Sequence, residues 1–466
     1  MSNHRHGIGL IRREMLQLGF SAFLGCQWRL DRAQGASVAE PTPHGAAGFG
    51  RAKSLIVVFQ TGAPSHLDTF DLKPGAPDGI RSEFRPIDTD APGLTVCEHL
   101  PQLARRMAHL AVIRSMSHPD NNHLNATHRL LTGKPQPGAF FDKIASRDDV
   151  PHYASVLDSL RPRNDGIPSG VLLPTFLMEG PLVWPGQTAG YLGAKHDPWQ
   201  IRSDPNSRLF RVEELGLPVG FTVERLEQRQ ELLKTLGREI DRWSSRLEHT
   251  ADPFPRQRSA AFQLLKARRL AEGFELHREP DSVRDRYGRH MFGQSLLLAR
   301  RLVEAGVPIV QVNLGRVQNW DSHGDIFRRL RQDLLPPFDK GVSALLDDLS
   351  ERGLLDETLV LVTGEFGRTP RIGVSGGAKI PGRDHWSAVF TSVLAGAGIQ
   401  GGQTIGSSDR IGAYPSTRAF SPEDLSATVY HALGIAPETE IHDRLARPFR
   451  ISGGRPIEAL WSGRTA

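Results

Sequence analysis

Five short, largely apolar runs divide the chain. They are Ser54–Phe59, Leu110–Ile113, Pro308–Leu314, Thr358–Thr363 and Ala388–Leu394. Runs this short and rich in Val, Ile and Leu read as strands, and Ser54–Phe59, the most continuously apolar and β-branched of them, suits a strand buried on both faces of a parallel sheet. Between them the apolar period lengthens to that of a helix. Pro101–Ala108 and Met291–Ala305 read as helices, the latter ended by Gly306. Ile326–Leu349 follows, interrupted at Pro336-Pro337, and Ser421-Pro422-Glu423-Asp424 opens a last helix that ends near Gly434. In 222–275, Val223, Leu226, Leu232, Leu233, Leu236 and Ile240 recur at helical spacing, and Pro253 and Pro255 separate them from a second helix. This predicts an exposed helical hairpin. Residues 134–220 are rich in Pro and Gly and predict an irregular insert over the site. Helices alternating with strands imply an α/β fold: a mostly parallel central sheet covered on both faces.

Composition narrows the class. Of 466 residues, 39% are apolar, and 47 Gly with 33 Pro mark a loop-rich globular protein rather than a helical bundle. A net charge of +5 is mild for this length and includes no run of five basic residues. It admits an anionic substrate and does not call for nucleic acid. With two cysteines, Cys26 and Cys97, neither a disulfide framework nor a thiolate zinc cluster is expected.

The N-terminus reads as an address. Ile11-Arg12-Arg13-Glu14-Met15-Leu16-Gln17 resembles a twin-arginine export signal. The apolar stretch 15–25 and the small-residue run 34–39 complete a signal peptide over 1–39, with a linker at 40–52 and one domain at 53–466. The apolar stretch is too short for a transmembrane span. Export to the periplasm or cell surface is expected, with a lipid anchor at Cys26 as the alternative.

Candidate chemistry gathers at strand ends. Asp321-x-His323 offers oxygen and nitrogen ligands two residues apart, which extended backbone points to one side. Glu365 follows the fourth apolar run and His385 precedes the fifth. Together these four make a nitrogen–oxygen set for a divalent metal ion, with Zn, Mn, Fe or Ca as candidates. Past the first strand, His66 and Asp68 are additional candidate ligands. A further stretch holds His118, His123 and His128, with Asn121 or Asn122 placed to cap a helix. His123 is the candidate nucleophile or general acid/base. Asn122 and Arg368, with Arg383 nearby, are candidates to bind an anionic group.

Four segments carry a resemblance: Thr61-Gly62-Ala63-Pro64-Ser65-His66-Leu67-Asp68-Thr69-Phe70-Asp71, Arg114-Ser115-Met116, Thr363-Gly364-Glu365-Phe366-Gly367-Arg368-Thr369-Pro370 and Gly382-Arg383-Asp384-His385-Trp386. The chain resembles the exported family of domain of unknown function 1501, within the alkaline phosphatase and sulfatase superfamily. That resemblance implies an alkaline-phosphatase-like three-layer α/β/α sandwich. The superfamily's early Asp is replaced here by Gln60 and Thr61. Its sulfatase Cys or Ser is replaced by His123, so no formylglycine forms there. Its Asp-His-Gly is replaced by Glu365-Phe366-Gly367, which implies one metal, or a decayed site, rather than two metals. The functional expectation is an exported metal-dependent hydrolase of phosphate or sulfate esters, on an anionic small molecule or polysaccharide. The alternative is a catalytically inactive exported binding or assembly protein that keeps the fold. Convergence of Asp321, His323, Glu365 and His385 separates a site from scattered residues.

Overall fold

The structure, a computed structural model, describes residues 46–138, 143–212, 267–375 and 377–463, together with helical positions between 224 and 236. The expected signal peptide, Cys26 and most of the expected helical hairpin lie outside the described residues. The end of its second helix is described as Arg268–Phe274.

Eight strands form the main sheet: β1 (Ser54–Phe59), β2 (Leu110–Met116), β3 (Gly170–Leu173), β4 (Trp199–Gln200), β5 (Ile309–Asn313), β6 (Thr358–Thr363), β7 (Phe390–Ala395) and β8 (Gln403–Ile405). Their order across the sheet is β8-β2-β7-β6-β1-β5-β3-β4. β1 pairs in parallel with both β6 and β5, β3 pairs in parallel with β5 and β4, and β8 is parallel to β2. β7 alone runs against its neighbours β6 and β2.

Alternate side chains of each strand feed two different cores. Ile56, Val58, Val310, Val312, Val360 and Val362 pack into one. Leu55, Val57, Phe59, Ile309, Leu359 and Leu361 pack into the other. Each fully buried side chain of this kind contributes roughly 1.5–3 kcal/mol. The first core is covered by α3 (Met291–Glu304) and α4 (Leu335–Glu351). The second is covered by α1 (His123–Thr132), α2 (Tyr153–Leu160) and α5 (Pro422–Ala432). The result is a three-layer α/β/α sandwich, in agreement with the apolar pattern.

Local chemistry explains the helix ends. Asn122 accepts hydrogen bonds from the Leu124 and Asn125 amides and starts α1, which Gly133 ends at φ 74°. Ser421 and Asp424 form a reciprocal capping box at α5. Pro336 and Pro337 occupy the first turn of α4, where a missing N–H costs nothing, and a π-helical turn at Arg329–Leu334 precedes them.

Residues 134–220 are not irregular throughout. They supply α2 and the strands β3 and β4 of the main sheet. The four residues of β3 and the two of β4 are too short to show a period, and only pairing, of β3 with β5 and of β4 with β3, makes them strands.

Candidate metal centre

The parallel strands β1, β2, β5 and β6 end at one edge of the sheet. β7 begins there, because it is antiparallel and Phe390 at its start pairs with Met116 at the end of β2. Segments that follow four strands and precede a fifth are therefore neighbours.

Close backbone contact brings the first two segments together. The Trp320 amide donates to the Thr61 carbonyl, and the Thr61 hydroxyl donates to the Arg316 carbonyl. Gly62 sits at φ +98°, and a Cβ there would lie 2.7 Å from the Asp321 nitrogen and from Gln318 backbone atoms. Only glycine satisfies both the angle and the space. Ala63 and Gln318 also take positive φ, 64° and 57°. Left-handed residues of this kind cost of order 1–3 kcal/mol each and persist where surrounding contacts hold them.

Three imidazoles converge on Asp321. His323 Nε2 lies 3.1 Å and His385 Nε2 3.3 Å from Asp321 Oδ1. His123 Nε2 lies 3.4 Å from Oδ2 and has no hydrogen-bond partner, so that separation is an ion-pair distance. The other nitrogen of each ring faces an oxygen that can only accept. His323 Nδ1 donates to Asp384 Oδ1 at 2.7 Å, and His385 Nδ1 to the Asn121 carbonyl at 2.9 Å. His123 Nδ1 donates to Glu365 Oε1 at 2.6 Å. Each ring thus carries its first proton on the outer nitrogen and turns Nε2 inward. The His323 and His385 Nε2 atoms are 3.0 Å apart. Two lone pairs at that distance repel unless one nitrogen is protonated or a cation lies between them. His123, Asp321 and His385 each place a donor atom within 4.8 Å of the others.

Electrostatics follow from this packing. Burial opposes charge on His123, but the adjacent Asp321 and Glu365 carboxylates outweigh it and raise its pKa to about 9. His323 is raised chiefly by Asp321, against burial and with help from Asp384. Burial works against the Asp321 carboxylate, yet His123, His323, His385 and Arg368 hold it well below the usual range. Arg368 is fully buried, with Nη2 2.5 Å from Asp321 Oδ1.

Around this group lies an outer layer. The Gly62 amide donates to Glu365 Oε1 at 2.8 Å, while Glu365 Oε2 is buried without a partner. His118 Nε2 meets the Glu365 carbonyl at 2.6 Å. The His123 ring stacks with Phe366 at 4.9 Å and Trp184 at 5.7 Å between centroids. A cleft of about 590 Å³ opens onto His123 and His385.

The structure brings Asp321, His323 and His385 together and adds His123. Glu365 reaches them through His123, with which it shares a hydrogen bond. Asn122 caps α1 and lines the cleft. Arg368 donates to the Gly62, Ala63 and Arg383 carbonyls as well as Asp321, so it ties loops together instead of facing the cleft. Arg383 likewise pairs with Asp68 and with the Thr369, Pro370 and Ile80 carbonyls. The structure does not bring His66 and Asp68 to the cluster. Asp68 is bound by Arg383 and Ser65, and His66 Nε2 by the Gly412 carbonyl. These two follow the first strand, but a tight turn carries them away from its end.

Sequence reasoning passed over Asp384 and the Asn121 carbonyl as holders of imidazoles. Asp384 was visible beside His385. A carbonyl leaves no mark in a sequence.

The fold and site define a class: an α/β/α sandwich with a histidine-rich acidic cluster at the strand ends. The chain belongs to the family described as "Protein of unknown function (DUF1501)", whose model matches residues 52–461. No curated protein matches the sequence. Solved structures with overall likeness include Ps i-CgsB, at 12% identity and TM-score 0.41 over 88% of this chain and 76% of that one. The lipoteichoic acid synthase LtaP from Listeria monocytogenes aligns at 10% identity and TM-score 0.39, over 87% and 77%. A protein in the alkaline phosphatase superfamily from Vibrio parahaemolyticus aligns at 12% and 0.34, over 86% and 74%. Likeness at this level says nothing of this chain's chemistry. Among the described residues, no helix is long and apolar enough to cross a membrane.

Proposed function

We propose that this protein is an exported metal-dependent hydrolase of a phosphate or sulfate ester. Asp321, His323, His385 and His123 hold one divalent cation. One observation carries the reading: three imidazoles give their outer N–H to fixed oxygens and turn Nε2 toward one carboxylate, and two of the three line a cleft. Outer acceptors of this type fix the ring tautomer and orientation of metal-binding histidines. Three nitrogens and one oxygen suit Zn²⁺, Mn²⁺ or Fe²⁺ better than Ca²⁺, which takes six to eight oxygens.

The roles of His123 and Glu365 are thereby exchanged relative to the reading from sequence. His123 serves as a ligand, and Glu365 orients it. A bound cation supplies Lewis acidity, polarising an ester oxygen and acidifying water. Arg368 offsets the charge of Asp321 and locks the Gly62 loop against it. The cleft-lining amides of Asn121, Asn122 and Gln318 orient the ester. No Ser, Thr or Cys lines the cleft among the described residues, which favours attack by water over a hydroxyl or thiol nucleophile.

The same absence supports a second reading, an exported binding protein that holds a metal without turnover. Metal analysis of the full chain purified in its folded state, with hydrolysis of aryl phosphate and aryl sulfate esters, decides between them. Bound metal and chelator-sensitive turnover are expected. Metal without turnover selects the binding protein. Neither metal nor turnover, under conditions where a sulfatase control is active, refutes both.

A further inference from the structure

The cleft beside the metal centre differs from a polyanion site in its charge. Among its described lining residues there is no Lys or Arg. Its two acids are Asp120, which Arg129 neutralises at 2.6 Å, and Glu179. Glu179 is exposed at the tip of a two-stranded ribbon, Met178–Glu179 paired with Leu182–Val183, and forms no ion pair among the described residues. Arg368 and Arg383, which follow Glu365 and precede His385, direct their donors to carbonyls and to Asp321 and Asp68. A groove for a polymer of sulfates or carboxylates needs the opposite arrangement, with guanidinium or ammonium groups facing the ligand.

Its rim is apolar. Ile144 and Leu182 remain 44% and 46% exposed, and both line the cleft. Asn125 lines it too, and its side-chain Oδ1 is buried without a hydrogen-bond partner. A buried acceptor with no donor is costly, by about 1–3 kcal/mol, unless a ligand or water supplies the donor. The volume of about 590 Å³ holds a group the size of one or two rings.

We propose that the cleft receives an uncharged, hydroxylated alcohol with an apolar face, as the leaving group of the ester, and rejects polyanionic polymers. The apolar face rests on Ile144 and Leu182, and a hydroxyl donates to Asn125 Oδ1. Glu179 repels an approaching polyanion. This assignment rests on the hydrolase reading, because it treats the cleft as the site of the ester's alcohol portion.

The test measures binding and turnover separately on the full, metal-loaded chain. Phenyl β-glucoside serves as the uncharged probe and dextran sulfate as the polyanion, each titrated calorimetrically at about 0.15 M salt. Phenyl β-glucoside is expected to bind and dextran sulfate not to. Leu182→Asp and Asn125→Ala are each expected to weaken phenyl β-glucoside by about five- to tenfold, the loss of one apolar contact or one hydrogen bond. Glu179→Lys is expected to create measurable dextran sulfate binding. Unchanged metal content in each variant shows that the fold is intact. Failure of phenyl β-glucoside to bind, tighter binding of dextran sulfate by the unaltered protein, or full affinity in Leu182→Asp overturns the proposal. Turnover of aryl esters is read independently. If the probes behave as expected and no ester is hydrolysed, the hydrolase reading falls while the ligand class of the cleft stands.

Discussion

Glu365→Gln tests the arrangement most directly. The side chain is fully buried, and Oε1 accepts from the Gly62 amide and from His123 Nδ1. Glutamine keeps the shape and one carbonyl acceptor, and it removes the charge. Two losses follow. The charge-assisted bond to His123 becomes a neutral one, about half as strong, which costs the metal-free protein on the order of 1 kcal/mol. The imidazole also loses the partner that fixes its orientation and raises its basicity. Outer partners of this kind are worth roughly 10- to 100-fold in metal affinity, or about 1.4–2.8 kcal/mol. Competition against a chelator of known zinc affinity measures the change. The expected result is unchanged stoichiometry with affinity reduced 10- to 100-fold. His123→Ala is expected to lose more, and the double variant no more than His123→Ala alone, because Glu365 acts through His123. Complete loss of metal in Glu365→Gln alone marks Glu365 as a direct ligand. Unchanged affinity shows that the carboxylate does not orient His123. Either outcome refutes the reasoning.

Three further outcomes are expected. Gly62→Ala places a methyl group 2.7 Å from the Asp321 nitrogen at a left-handed φ, so thermal melting should show a loss of about 2 kcal/mol or more, with reduced metal content; a melt like that of the parent would sink the close-approach argument. Asp384→Asn keeps an acceptor for His323 Nδ1 but removes the carboxylate, and should weaken metal binding by about tenfold with little change in melting; equal affinity would show that Asp384 is dispensable. The third concerns acid. Burial pushes His152 down to about 4, against a weaker upward pull from Gln311, and His128 shifts the same way. The unfolded chain protonates near 6.5 and the folded chain resists until about 4, so this stability is complete above pH 6.5 and declines as pH falls. His152 alone should account for about 2 kcal/mol lost by pH 5. Urea unfolding in chelator at pH 7.5 and pH 5 reads the difference, and equal midpoints contradict it.

Much of the scaffold was legible in the chain. Runs such as 54–59 and 358–363 carry their burial in their composition, because a strand covered on both faces has no polar face to show. The caps at Asn122 and Ser421 were legible because capping acts over three residues. β3 and β4 were not, since strands of four and two residues have no period; β3 is fixed by pairing with β5, more than a hundred residues away, and β4 only by pairing with β3. The candidate site was half legible. Asp321, His323 and His385 stood out by residue type at strand ends. The destination of Glu365 did not, because a buried carboxylate next to a glycine-rich turn serves equally as a ligand or as a partner of one.

The sequence by itself determined the sandwich, its strand and helix alternation, and the kinds of side chain that collect at the strand ends. These follow from local period, burial and capping, which act within one element. Only the tertiary structure decided that His123 joins Asp321, that Glu365, Asp384 and the Asn121 carbonyl hold the imidazoles, and that Arg368 and Arg383 turn inward. Those outcomes depend on which strand ends are neighbours and on the antiparallel course of β7. Both are set by sheet order, a property of contacts between residues hundreds of positions apart.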